Sequence, residues 1–167
     1  SHFFNGQSGF LQQSGSVLHS QVLHHFIERL SYRLKSINIA APITVSCHLL
    51  NKIEPEIDHE ILVLTSDHVI EPLENFVKDT EYAYKAANLG KIVCYSIQTT
   101  FPYTGYSYLK TGNIVEGLED FENIREVIDF LEKPNINKAK EFFESGLYTW
   151  NSGIFAFKSK VYLEELA

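Results

Sequence analysis

The chain has no methionine, one tryptophan, two cysteines and five prolines, and nowhere does it gather lysine and arginine into a cluster. Each shortage excludes something. Cys47 and Cys94 are too few for a disulfide scaffold or a zinc site, and both stand in apolar stretches where a free thiol behaves as a small hydrophobe. A reducing, cytoplasmic setting suits them. Lys and Arg number 14 against 21 Asp and Glu, a formal charge of −7. That balance opposes a nucleic-acid surface, because phosphate backbones reward clustered cations. A small anionic ligand stays open, given local donors or a metal. No apolar run is long enough to span a bilayer and no signal peptide is evident, so a membrane is not an expected partner. Ser1-His2, without a methionine, reads as a tag-derived start. What is present, 44% hydrophobic residues over 167 positions, suffices for the core of one domain.

Residues 1–16 mix Gly, Ser and Gln without a sustained period and read as loop or tag-derived segment, with a domain over 17–167. Their glycines are a poor phosphate loop, since no Lys or Arg precedes Arg29. From Ser16, Leu18, Val22, Leu23, Phe26, Ile27, Leu30 and Leu34 share one helical face, and His19, His24 and His25 on that helix fit a solvated face better than a metal site. Pro42 is expected to break the helix, with a short helix over 43–50 beyond it.

Ile61 to Leu64 form a short apolar run without alternation, as expected of a strand covered on both faces of a parallel sheet, and the run stops at Ser66-Asp67. Ligands of open α/β sheets gather outside the carboxyl ends of strands. Asp67 is therefore sited to hold a cation and a phosphate, or else it begins a turn or caps the next helix. Pro72 opens a helix with Leu73, Phe76, Val77, Tyr84 and Ala87 on one face, Gly90 closes it, and residues 92–97 read as the next strand. Strand, helix, glycine and strand make a βαβ unit and an at least partly parallel sheet. The loop from Thr99 to Leu109 is dense in hydroxyls and aromatics around Gly105. It can bring backbone and rings to a sugar, although composition favours a plain hairpin turn. Residues 110–113 read as a turn, 127–131 as a strand delivering Glu132-Lys133-Pro134, 137–143 as a helix, 154–157 as a strand with Asn151 in a Gly-flanked turn before it, and 161–166 as a helix.

Ser66-Asp67-His68-Val69-Ile70, Thr104-Gly105-Tyr106, Phe130-Leu131-Glu132-Lys133-Pro134 and Ser145-Gly146-x-Tyr148-x-Trp150-Asn151-Ser152-Gly153-Ile154-Phe155 follow one another in the order and spacing of a known family. In these motifs the chain, from about Asn38 to Leu166, resembles the mannose-1-phosphate guanylyltransferases, or GDP-mannose pyrophosphorylases. The resemblance implies a Rossmann-like nucleotide-diphospho-sugar transferase: an α/β fold with a mostly parallel sheet and flanking helices, incomplete at both ends. It implies the reaction of GTP with mannose 1-phosphate to GDP-mannose and pyrophosphate. It also implies roles. Asp67 would hold Mg²⁺, and Lys133 would face phosphate. Ser66, Thr104, Gly105, Tyr106, Glu132 and Asn151 would line the substrate, with Glu132 and Asn151 on sugar hydroxyls.

The departures carry expectations of their own. The family's Gly-rich nucleotide loop is not found in residues 1–36, Thr65 stands where the family usually has Pro, Tyr103 where it has Glu, and Ser107 where it has Gly. A split or decayed copy, inactive alone, is the corresponding expectation. Its partners would be mannose 1-phosphate and GTP, together with self-association or a complementary chain. The alternatives are a non-catalytic remnant binding a sugar phosphate or a partner, and a related sugar-1-phosphate nucleotidyltransferase.

Overall fold

The computed structural model describes residues 13–18, 39–65 and 68–166. Among them are six strands, β1 (Gln13–Leu18), β2 (Glu60–Val63), β3 (Ile92–Gln98), β4 (Tyr108–Ile114), β5 (Arg125–Leu131) and β6 (Tyr148–Lys158), and four helices, α1 (Ala40–Ile53), α2 (Leu73–Asn88), α3 (Ile136–Ser145) and α4 (Ser159–Glu165). No described helix is long and apolar enough to cross a membrane.

Local chemistry explains the helix ends. Pro42 lies in the first turn of α1 and does not break it, because a residue there has no intrahelical partner for its N–H. Pro72 precedes α2, and Gly90, at φ 74°, ends it with its N–H donating to the Ala87 carbonyl at 2.9 Å. The α2 face against the sheet is Ala83, Ala86 and Ala87 with Phe76, whereas Leu73 and Val77, expected on that face, are exposed. Asn135 caps α3 by accepting from the Lys138 N–H at 3.0 Å, and left-handed Gly146 stops it.

The strands form one sheet in the order β2-β6-β3-β1-β5-β4, and β4 also pairs with β6. The expected α/β class holds. The expected predominance of parallel pairing does not: among the described strands only β1–β5 is parallel, and the other pairings are antiparallel. β2 and β3 do run the same way, as a βαβ unit requires, but β6 lies between them, antiparallel to both. Strand–helix–strand order reports direction; which strand fills the gap is decided by a segment more than fifty residues later.

Three readings of local structure are corrected by this pairing. Residues 13–16, read as loop, and 16–18, read as the start of a helix, form β1, whose ladder with β3 and β5 imposes extended backbone on a stretch without alternation. β1 crosses the expected boundary between residues 16 and 17, while the rest of the amphipathic run and its three histidines lie outside the described residues. Residues 110–113, read as a turn, lie inside β4, held by β5. Asn151, read in a turn before the strand 154–157, lies within β6, whose first half is residues 148–153. β2 is not covered on both faces either: Ile61, Leu62 and Val63 are half-buried, and Leu64 is exposed.

Alternation sends neighbouring residues of β3 to opposite faces. Ile92 and Cys94 join Cys47, Leu109, Phe157 and Tyr162 under α1 and α4. Val93 and Tyr95 join Ala83, Ala86, Ile154 and Ala156 under α2. A third cluster, Tyr108, Ala139, Phe142 and Trp150, lies under α3.

Candidate functional site

The first half of β6 departs from a regular ladder. Opposite the single residue Tyr95, β6 carries Ser152, Gly153 and Ile154, so the register slips between Cys94 and Ser96. Bulges of this kind re-aim side chains and recur beside active sites. Gly153 absorbs the surplus at φ 76°, a left-handed conformation that disfavours a side chain. Ser152 closes the bulge, its hydroxyl donating to the Tyr95 carbonyl at 2.6 Å and accepting from the Ile154 N–H at 3.1 Å.

Ser107 ties the site together. Its hydroxyl donates to Glu132 Oε2 at 2.6 Å, and its carbonyl accepts from the Asn151 N–H at 2.8 Å. Asn151 Oδ1 in turn accepts from the Gly153 N–H at 3.0 Å and from the Cys94 thiol at 2.9 Å. A Cβ added to Gly153 would sit 3.5 Å from Thr65 Cγ2, so Thr65 lies beside the β6 bulge. Thr65, Gly153, Asn151, Ser107 and Glu132 are thus a line of neighbours drawn from four separate segments.

The loop before Ser107 is held from below by Tyr108, whose hydroxyl accepts from the Tyr103 N–H at 3.0 Å and donates to the Tyr103 carbonyl at 2.9 Å. Phe101 and Tyr106 pack on Trp150 with centroids at 5.1 and 5.3 Å, and Tyr103 meets Tyr106 at 5.0 Å. Gly105 has a packing reason of its own, since a Cβ there would fall 2.5 Å from the Tyr103 ring. The segment is therefore an aromatic cap with exposed Thr104, Gly105 and Tyr106 at its rim, not a plain hairpin turn.

Of the residues singled out from sequence, Glu132 and Asn151 are joined through Ser107, and Thr104 to Tyr106 lead directly into it. Lys133 follows Glu132 with an exposed side chain and a backbone φ of 38°, unusual for a residue with a Cβ. Ser66 and Asp67 lie outside the described residues. Among the described residues no group of three or more His, Cys, Asp or Glu could hold a metal ion. Sequence reasoning missed two contributors. Ser107 was visible only as a substitution, and Cys94 only as a small hydrophobe, because nothing local to either residue announces its partner.

Electrostatics separate the two faces here. Burial pushes the Cys94 thiol far above its ordinary range, so it stays protonated. On the other face burial pushes Tyr95 up to about 12, opposed by its hydrogen bond to Thr80. Burial also raises Asp79, against the lowering effect of Lys78. Asp79 borders a cavity of about 10 Å³ with Tyr82, Tyr95 and Asn123, room for a single water.

With this geometry in view, relatives can be placed. Residues 13–167 match the family described as nucleotidyl transferase, and the chain belongs to that family. More particularly, it is 42% identical over 107 residues to the mannose-1-phosphate guanylyltransferase of Salmonella montevideo, covering 64% of this chain and 23% of that one. It is 41% identical over 131 residues to mannose-1-phosphate guanylyltransferase 2 of Escherichia coli O157:H7, covering 77% and 27%. The chain thus spans 23% and 27% of the length of these two curated relatives. Among solved structures it is similar to the mannose-6-phosphate isomerase from Helicobacter pylori, with TM-score 0.63, 29% identity, and 78% and 46% of the two chains covered. It is also similar to the mannose-1-phosphate geranyltransferase from Thermus thermophilus, with TM-score 0.60, 25% identity, and 73% and 34% covered.

Proposed function

We propose that this chain provides the sugar-phosphate side of a mannose-1-phosphate guanylyltransferase, whose substrates are mannose 1-phosphate and GTP and whose products are GDP-mannose and pyrophosphate. In that reaction a phosphate oxygen of the sugar phosphate attacks the α-phosphorus of the nucleotide and pyrophosphate leaves. The observation that carries the reading is the junction of Glu132 and Asn151 through Ser107, because it joins two separately recognised motifs at one site beside the β6 bulge. In this reading Glu132 accepts from a sugar hydroxyl, Asn151 binds another sugar oxygen, Lys133 faces phosphate, and Thr104, Gly105 and Tyr106 form the rim. Asp67, with Ser66 beside it, would hold Mg²⁺. When bound, that ion would neutralise charge around the phosphates.

Calorimetry of the chain with mannose 1-phosphate tests this directly. Weak binding is expected, strengthened by Mg²⁺ only where the phosphate reaches the ion, and Asp67→Ala removes the metal dependence while sparing sugar binding. No heat with mannose 1-phosphate, with or without Mg²⁺, overturns the reading. Coupled pyrophosphate release in the presence of GTP would extend it to full turnover.

The same proposal covers partners and place. Ala41, Val45, Leu49 and Ile53 recur every fourth residue along the outward side of α1, and the last three are large apolar side chains left exposed. Such a stripe favours a second copy of the chain as partner. A clean monomer by light scattering at high concentration would count against that. The two buried, unpaired thiols fit a cytoplasmic protein.

A further inference from the structure

The geometry points to Cys94 as a positioning residue: its buried thiol and the Gly153 amide fix the Asn151 side chain so that its NH₂ is the group presented to the ligand, which must offer an acceptor oxygen there. This inference rests on the sugar-phosphate reading of the site and adds to it the polarity of one contact and the residue that sets it.

The orientation of an amide is assigned from its hydrogen bonds. The Gly153 N–H can only donate, so the Asn151 atom 3.0 Å from it is the oxygen; the flipped amide would set NH₂ against N–H. The thiol has one proton and two possible acceptors. Asn151 Oδ1 lies 2.9 Å from the sulfur, whereas the Tyr95 carbonyl lies 3.7 Å away and already accepts the Ser152 hydroxyl at 2.6 Å. Cys94 is 0% exposed, and burial keeps its proton in place at physiological pH, so the donor persists. On the backbone side, the Asn151 N–H is held by the Ser107 carbonyl. With Oδ1 engaged, Nδ2 has no partner among the described residues, and it is the part of the Asn151 side chain left to address a ligand. Glu132, fixed by Ser107, supplies an acceptor to the same site. One donor and one acceptor held in this way suit two oxygens of a polyol, one approached by each.

The test has a ligand-free arm and a binding arm. In ¹⁵N-labelled chain the Asn151 NH₂ resonances, identified by their loss in Asn151→Asp, are expected to be ordered in the wild type. In Cys94→Ala their order parameter should fall below about 0.6, and Cys94→Ser, which restores a donor, should recover it. Should Cys94→Ala fail to fold by circular dichroism, Cys94→Val, which fills the space without a donor, replaces it. Equal order in the wild type, the Ala (or Val) variant and the Ser variant overturns the role of Cys94. In calorimetry with mannose 1-phosphate, Asn151→Asp and Cys94→Ala should each weaken binding about five- to tenfold, the loss of one hydrogen bond, with Cys94→Ser close to wild type. Unchanged affinity in Asn151→Asp overturns the donor assignment. A wild-type chain that binds no mannose 1-phosphate defeats the sugar reading instead, and the resonance measurement then decides the positioning role alone.

Discussion

Cys94 and Tyr95 are neighbours in one strand, yet the regions they face are built on different terms. On the Cys94 side polar groups close on one another: thiol to Asn151, Asn151 to Gly153 and Ser107, Ser107 to Glu132. On the Tyr95 side the buried Asp79 Oδ2 finds no hydrogen-bond partner among the described residues, next to a cavity of about 10 Å³. Satisfied polar groups hold one another in a single geometry, which a binding site needs, whereas an unpartnered carboxylate only costs stability. Mutation should therefore act on binding through the first face and on stability through the second.

The largest effect should come from a residue that supports the sheet itself and so removes the contrast. Phe157 is almost fully buried and stacks on Tyr162 at 4.9 Å. Phe157→Ala is expected to destabilise by about 3–5 kcal/mol, read as a fall in denaturant midpoint, with binding lost only as far as the chain unfolds. The next effect sharpens the contrast. Glu132→Ala and Asn151→Ala should each weaken mannose 1-phosphate binding by roughly 1–3 kcal/mol in calorimetry, with a fall in the thermal transition smaller than that of Phe157→Ala, since each also leaves a donor of the junction without its acceptor. A large drop in melting temperature would make these residues structural instead.

Smaller effects belong to the Tyr95 face. The Tyr95 hydroxyl donates to Thr80 Oγ1 at 3.1 Å, so Tyr95→Phe should cost about 1 kcal/mol, a few degrees of melting temperature, without changing sugar affinity. The smallest change is a gain. Because burial raises the Asp79 pKa, the folded chain keeps a proton over a pH range in which the unfolded chain has released it. That contribution is fully present below the ordinary carboxylate range and is lost as pH rises through the raised value. At neutral pH the fold carries a partly desolvated charge. Asp79→Asn should accordingly raise the melting temperature at pH 7, and the advantage should shrink as pH falls toward about 4. An advantage independent of pH would assign the effect to packing.

Sequence alone determined which residues are candidates for the site and which way several elements run. Pro72 and Gly90 mark the ends of α2 because a helix start or a left-handed turn depends on a few adjacent atoms. The Glu132 and Asn151 motifs were legible for a similar reason, since each is a short run with its own order and spacing. Tertiary structure decided the rest. That β6 lies antiparallel between β2 and β3, that residues 13–18 and 110–113 are strand, and that Ser107 and Cys94 hold the site all depend on partners far away in the chain. A strand's neighbour and a hydroxyl's acceptor are chosen by whichever distant segment completes the hydrogen bonds and buries the apolar face, and no local pattern encodes that choice.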